Sequence, residues 1–265
     1  IMNYGGENLM GATGGFDGDY DDVLIRSHSR FAGYEQIAAP SYPTIAGDTS
    51  DQTKVSYFSP RFSGFQVGAS ITPTPNNGDN FKSDGGWENH IGIGANYDNS
   101  FGDLRVRASA VYSGASSNHT KVEDVSAWSV GGIVGWGPFS LGANYTDNAE
   151  SGSVKTTVEG FASESSYWDV AASFETGPLY FSAGYLASTR EFNGPNPLAN
   201  PEDWGDSTFE TISLTVDYTV APGLGVYAEV DLISDEYYGG TCTEDGINQC
   251  ANDATIFIAG ANVSF

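Results

Sequence analysis

"ATIFIAGANVSF", Ala254–Phe265, places a large apolar ring at the last position of the sequence. In an extended chain Phe257, Ala259, Ala261, Val263 and Phe265 share one face, and Ile258, Gly260, Asn262 and Ser264 share the other. Period-two alternation predicts a strand with one apolar and one mostly polar face. Termini of water-soluble domains usually fray and end on polar residues. An aromatic at position 265 therefore calls for apolar surroundings.

The same pattern recurs upstream. "TISLTVDYTV" sets Ile212, Leu214, Val216 and Tyr218 against Thr211, Ser213, Thr215 and Asp217. "YWDVAASFE" sets Trp168, Val170, Ala172 and Phe174 against Asp169, Ser173 and Glu175. Eleven such segments are predicted, at 53–59, 65–73, 89–98, 103–113, 126–136, 139–147, 165–175, 179–188, 208–219, 224–233 and 255–265. Strands of soluble domains usually run about five or six residues, whereas about nine to eleven tilted residues cross a bilayer. Most of these segments have the longer length.

The connections alternate strictly. "PRFSG", "NSFGD", "GP", "TGP" and "APG" are short, and the stretches 74–88, 114–125, 148–164, 189–207 and 234–254 are long, polar and acidic. Tight turns at one end and long loops at the other predict an all-β, transmembrane, antiparallel up-and-down β-barrel. Tyr57, Phe65, Tyr97, Trp136, Phe139, Phe174, Tyr218 and Phe265 fall at strand ends beside the short turns. That placement suits an aromatic girdle at a membrane–water interface. A soluble sandwich would instead scatter its aromatics along an inner face.

Composition agrees with a strand-rich chain. Gly numbers 34 and charged residues make up 17% of 265 residues, yet mean hydropathy is −0.27, because Ser, Thr, Asn and Gly supply the polarity. These residues are poor helix formers. No run approaches the roughly 18 apolar residues of a membrane helix, and no signal peptide is evident at the start. Ten Lys and Arg against a net charge of −24 exclude a nucleic-acid footprint. Acidity favours solubility or the attraction of cations. Cys242 and Cys250, in "CTEDGINQC", suggest a local disulfide in an oxidising compartment, with a metal pair as the alternative.

The block "TKVSYFSPRFSGFQVGASITP", Thr53–Pro73, together with the terminal alternation and Phe265, resembles the general porins of Gram-negative outer membranes, especially their alphaproteobacterial-type members. The resemblance covers 53–265 well and 1–52 more loosely. It implies sixteen strands in a complete chain, a passive water-filled channel for ions and small hydrophilic solutes, and a homotrimer. Outer-membrane lipid and lipopolysaccharide would be its surroundings, and Phe265 its C-terminal assembly signal. Both barrel ends normally lie on the inner side of the membrane with an even strand count. Eleven strands therefore imply an odd number beyond them, and the resemblance makes that number five. Residues 1–52 would then be the loop that folds into the pore. Strands hidden around "DVLIRS" are the alternative.

Function is expected in the interior, since a barrel wall satisfies its own backbone. Expected pore-lining residues are Lys54, His90, Arg105, Arg107, Asp169, Glu175, Asp217, Glu229 and Asp231. The expected constriction loop carries Glu7, Asp17, Asp19, Asp21, Asp22, Arg26, Arg30, Glu35, Asp48 and Asp51. Acidic loop groups opposed to basic wall groups would set a field across the constriction. Arg105 and Arg107 are the candidate wall cations, or else ordinary water-facing charges. "DGDYDD" lacks the ordered spacing and closing Glu of a calcium loop; a loop-bound Ca²⁺ stays a minor alternative to no cofactor at all. No catalytic residues are expected: His28 lies between Ser27 and Ser29 without a nucleophile elbow, and His119 with Asp124 is ordinary loop composition. The expected activity is weakly cation-preferring diffusion. A substrate-specific sugar channel, a soluble carbohydrate-binding β-sandwich and an outer-membrane enzyme are the alternatives.

Overall fold

The computed structural model describes residues 3–11, 15–16, 43, 45–47, 49, 53–73, 87–118, 122–151, 161–193, 206–238 and 249–264. Eleven strands form one antiparallel sheet in which every strand pairs with its sequence neighbours. They are β1 (Val55–Phe58), β2 (Phe65–Thr72), β3 (Trp87–Phe101), β4 (Leu104–Ser117), β5 (Val125–Trp136), β6 (Phe139–Ala149), β7 (Phe161–Thr176), β8 (Leu179–Asn193), β9 (Ser207–Ala221), β10 (Leu224–Tyr238) and β11 (Gln249–Val263). Among the described residues there is one sheet, not the two packed sheets of a sandwich, and it is open: there β1 pairs with β2 alone and β11 with β10 alone.

All eleven predicted strands are present, and their short-turn ends match closely. Gly137 and Gly177 each open a two-residue Gly–Pro hairpin turn at positive φ (54° and 57°), the conformation that primed turns demand of their first central residue. The long-loop ends differ. β8 runs on to Asn193, β10 to Tyr238, and β11 begins at Gln249 rather than 255. In these extensions ("STREFN", "SDEYY") both faces are polar, so pairing continues where alternation has stopped. β11 also ends at Val263; Phe265 lies outside the described residues, as do the 265-side assembly signal and Cys242. Cys250 sits in β11, opposite Tyr237.

The sheet is amphipathic in the opposite sense to a soluble domain. Its apolar face is exposed: Phe257 by 75%, Trp136 by 69% and Leu141 by 59%. Its polar face is buried: Thr146 and Asp231 at 0%, Ser129 and Asp169 at 1%. Burying polar groups while leaving large apolar ones outside would cost heavily in water. The arrangement is favourable only if the outer face meets hydrocarbon.

Aromatics on the outer face form two belts. At the short turns Phe65 packs on Tyr97 (4.7 Å between centroids), and Phe139, Phe174 and Phe181 form a row at 4.8 and 6.5 Å. Toward the long loops Trp128 packs on Tyr145 at 5.5 Å, and Trp168 on Tyr185 at 5.2 Å. The first belt is the one expected from the sequence; the second was not. Phe174 and Trp168 are six positions apart on β7, about 20 Å along a strand at roughly 3.3 Å per residue, which suits the roughly 25 Å apolar band of an outer-membrane barrel.

Candidate functional site

The polar face carries a piece of the chain's own beginning. Asn3–Gly11, with a short 3-10 turn at Gly6–Leu9, lies against β4 to β8. Its attachment is largely polar. Tyr4 N–H donates to Ser109 Oγ at 2.8 Å, and Ser109 Oγ donates to Asn3 Oδ1 at 2.6 Å. Asn3 Nδ2 donates to Ser129 Oγ at 2.9 Å, Ser129 Oγ to Asn144 Oδ1 at 2.7 Å, and Thr146 Oγ1 to Ser129 Oγ at 2.8 Å. Gly6 N–H donates to Asp169 Oδ1 at 2.5 Å, and Tyr180 OH to the Leu9 carbonyl at 2.7 Å. Small hydroxyl and amide side chains of the inward rows thus satisfy a stretch of backbone that has no strand partner, as buried polar groups require. Leu9, Met10 and Phe16 then close an apolar cluster with Ile133, Tyr167, Ala171, Leu186 and Phe209. A second stretch touches the same face nearer the long loops, where Ala46 N–H donates to Asn148 Oδ1 at 2.7 Å.

Charges on the inward rows are unevenly spread. Arg61, Arg105 and Arg107 gather at the short-turn end of β1 to β4, together with Asp98, whereas Arg190 lies on β8 toward the long loops. Arg105 makes a two-point ion pair with Asp98, Nη2–Oδ2 at 2.8 Å and Nε–Oδ1 at 3.1 Å. Arg107 sits over the Tyr4 ring at 5.5 Å. Arg61 donates to Asn96 Oδ1 at 2.8 Å. Carboxylates occupy β7 to β10: Asp169, Glu229 and Asp231 are buried, Asp217 is half-buried and Glu175 is exposed. His90, on β3, is buried, close to Gly47. Lys54 precedes β1 and donates to Thr49 Oγ1 at 2.7 Å. Among the described residues no group of three or more His, Cys, Asp and Glu side chains is placed to hold a metal.

A model of the Gram-negative porin family matches residues 3–236. The chain belongs to that family. Solved structures share the fold. A porin structure refined at 1.8 Å aligns over 98% of this chain and 75% of its own, with a TM-score of 0.52 and 14% identity. The outer-membrane channel DcaP of Acinetobacter baumannii aligns over 86% and 68%, with a TM-score of 0.52 and 12% identity. Proteins of Rickettsia felis and Rickettsia prowazekii, both described as uncharacterized, are 22% and 23% identical over 74% of this chain. The chain spans about half the length of these relatives, 54% of each.

In this outer-membrane porin, the structure brings Asp169 and Glu7 together through the 3-10 turn beneath which Asp169 is buried. Arg105 and Arg107 lie side by side on the inward row of β4; Arg107 rests over the Tyr4 ring of the inner segment, and Arg105 pairs with Asp98. Asp17, Asp19, Asp21, Asp22, Arg26, Arg30, Glu35, Asp48 and Asp51 lie outside the described residues, as does the "DGDYDD" stretch. Sequence reasoning missed the residues that hold the segment: Ser109, Ser129, Asn144 and Tyr180. They alternate inward like any polar strand residue, and nothing local marks them. It also missed Asp98 and Arg61. Asp98 faces Arg107 directly across the "NSFGD" hairpin, a pairing that the turn's length makes accessible from sequence.

Proposed function

We propose that this porin forms a passive diffusion channel for ions and small hydrophilic solutes, with Asn3–Gly11 and Phe16 as part of its constriction. The observation that carries this reading is the inverted amphipathicity of the sheet, joined to a segment held on its polar face by side chains from β4 to β8. Unpaired backbone at an open sheet edge is not tolerated in hydrocarbon. β1 and β11 run in the same direction, so antiparallel closure needs an odd number of further strands. Five would complete a sixteen-stranded barrel of the size that leaves an aqueous channel.

The five carboxylates on the inward rows of β7 to β10 (Asp169, Glu175, Asp217, Glu229 and Asp231) outnumber the two arginines on the inward row of β4, and they support a weak preference for cations. Tyr167 is buried in the apolar cluster and Tyr180 is engaged by Leu9; neither is offered to a permeating sugar, which favours general diffusion over a sugar-specific path. The reading needs no cofactor and no catalytic group. A homotrimer in lipopolysaccharide-containing membrane is the assembly that the family suggests. Planar-bilayer recording of the complete chain tests the proposal: discrete ohmic steps with a cation-directed reversal potential in a salt gradient are expected. Absence of steps ends the channel reading, and an anion-directed potential ends the selectivity.

A further inference from the structure

Three inward-facing glycines lie where the segment touches the wall. A Cβ at Gly131 on β5 would come within 2.0 Å of the Tyr4 carbonyl oxygen, and one at Gly142 on β6 within 2.8 Å of the Gly5 carbonyl oxygen. A Cβ at Gly184 on β8 would come within 2.3 Å of Phe16 Cζ and 2.8 Å of Met10 Sδ. Real Cβ atoms do not approach backbone as closely as they would at Gly131 and Gly142; at Gly184 the neighbours are side-chain ends, which can move aside. The segment is bare on its own side as well: a Cβ at Gly5 would meet Asn144 Cβ at 2.6 Å, and one at Gly6 would meet the Ala171 nitrogen at 2.6 Å. Glycine inside a strand weakens it and commonly marks close approach by another backbone. None of the three wall glycines has a positive φ, so backbone conformation does not explain them. Gly225, on the inward row of β10, provides the contrast, because its nearest neighbour would be 3.8 Å from a Cβ.

We infer that Gly131, Gly142 and Gly184 are positioning residues for permeation: the side chains they lack form a seat into which Tyr4–Gly11 and Phe16 sink, and the depth of that seat sets the free cross-section of the channel. The inference rests on the channel reading above. The hydrogen bonds from Tyr4, Gly6 and Tyr180 hold the stretch down, and the glycines determine how far down it goes. Close-packed contacts shift rather than compress. Added bulk at the seat has the wall behind it, so the stretch moves toward the lumen.

The test is single-channel conductance of the complete chain carrying Gly131→Leu, Gly142→Ala or Gly225→Leu, each also made with residues 3–16 deleted. Heat-modifiable migration on gels selects the variants that fold, and the small Gly142→Ala change serves if Gly131→Leu does not assemble. With the segment present, Gly131→Leu is expected to lower conductance about two-fold, Gly142→Ala to lower it less, and Gly225→Leu to leave it near the parent value. With the segment deleted, the effect of Gly142→Ala vanishes and that of Gly131→Leu shrinks, the remainder coming from the Ala143 carbonyl of β6, 2.9 Å from a Cβ there. Unchanged or raised conductance in the folded seat variants overturns the inference, as does an equal loss in the deleted background. A parent protein without conductance steps overturns the channel reading instead.

Discussion

Gly6 N–H donates to Asp169 Oδ1 at 2.5 Å, linking two residues 163 positions apart. Asp169 is buried on β7, and the bond lands in the first turn of Gly6–Leu9, where backbone N–H groups lack partners of their own. A hydrogen bond to a charged acceptor contributes about 1.5–3 kcal/mol. Asp169→Ala is therefore expected to raise the detached population of the segment roughly ten-fold or more, at about 1.4 kcal/mol per decade. Asp169→Asn retains a neutral acceptor, worth about 0.5–1.5 kcal/mol, and is expected to fall between Asp169→Ala and the parent. Open-channel current noise and protease cleavage within residues 3–11 check the difference. Equal behaviour of the two variants would show that the segment does not depend on this bond.

The exposed apolar row makes a second claim. Leu141 lies on β6 between the belt residues Phe139 and Tyr145 and is 59% exposed. If lipid covers it, Leu141→Arg costs about 2–4 kcal/mol at the bilayer midplane and less toward the interfaces. Ser70→Arg, on the inward row of β2, costs far less. Denaturant titration in lipid vesicles reads both. Equal, small losses would mean that the outer face is wet.

What could be read beforehand follows from where lipid and water meet the wall. Leu214, Val216 and Tyr218 alternate with Ser213, Thr215 and Asp217 because one side of β9 faces hydrocarbon, so strand, turn and face were all legible there. Around "SDEYY" the sequence no longer alternates between apolar and polar residues, and β10 continues to Tyr238 without a sequence signal. The belt of Trp128, Tyr145, Trp168 and Tyr185 lies inside the alternating segments, so each ring was legible as outward; what the sequence did not show is that the registers bring Trp128 against Tyr145 and Trp168 against Tyr185. The inner site was less legible still. "NYGGENLMG" reads as a small polar loop, and only the assembled sheet sets Gly131 against the Tyr4 carbonyl. Asp169 was singled out as a pore-lining charge, yet its observed partner is a backbone N–H.

The cation rows predict an asymmetry between two neighbouring arginines. Arg105 is tied to Asp98, whereas Arg107 rests on Tyr4 at the inner segment. Arg107→Ala is expected to raise the cation-to-anion permeability ratio about two-fold, since a unit charge a few ångströms from an ion's path is worth a fraction of a kcal/mol in a wet channel. Arg105→Ala removes a charge already neutralised by its partner and moves the ratio less; as an exposed pair it also contributes less than about 1 kcal/mol to stability. Reversal potentials in a salt gradient rank the two variants. The reverse ranking would place the narrowest point at the short turns instead of at Tyr4.

The two belts fix how deep the barrel sits. Trp136 is in the belt beside the short turns, and Trp128 and Trp168 are in the belt toward the long loops, each exposed on the outer face by 40% or more. Indole rings prefer the headgroup region, where an apolar ring and a polar N–H are both accommodated. Variants retaining a single Trp at 128, 136 or 168, with the other four replaced by Phe, are therefore expected to fold into vesicles with emission typical of an interface. Lipids brominated high on the acyl chain should quench all three strongly, and lipids brominated near the chain end should quench them weakly. Val134→Trp, placed on the same outward row of β5 between Trp128 and Trp136, should show the opposite preference, quenched best by deep bromines. A tryptophan at position 134 no deeper than its neighbours would mean that the apolar band is not a bilayer span, and the exposed face would then need a protein partner to cover it.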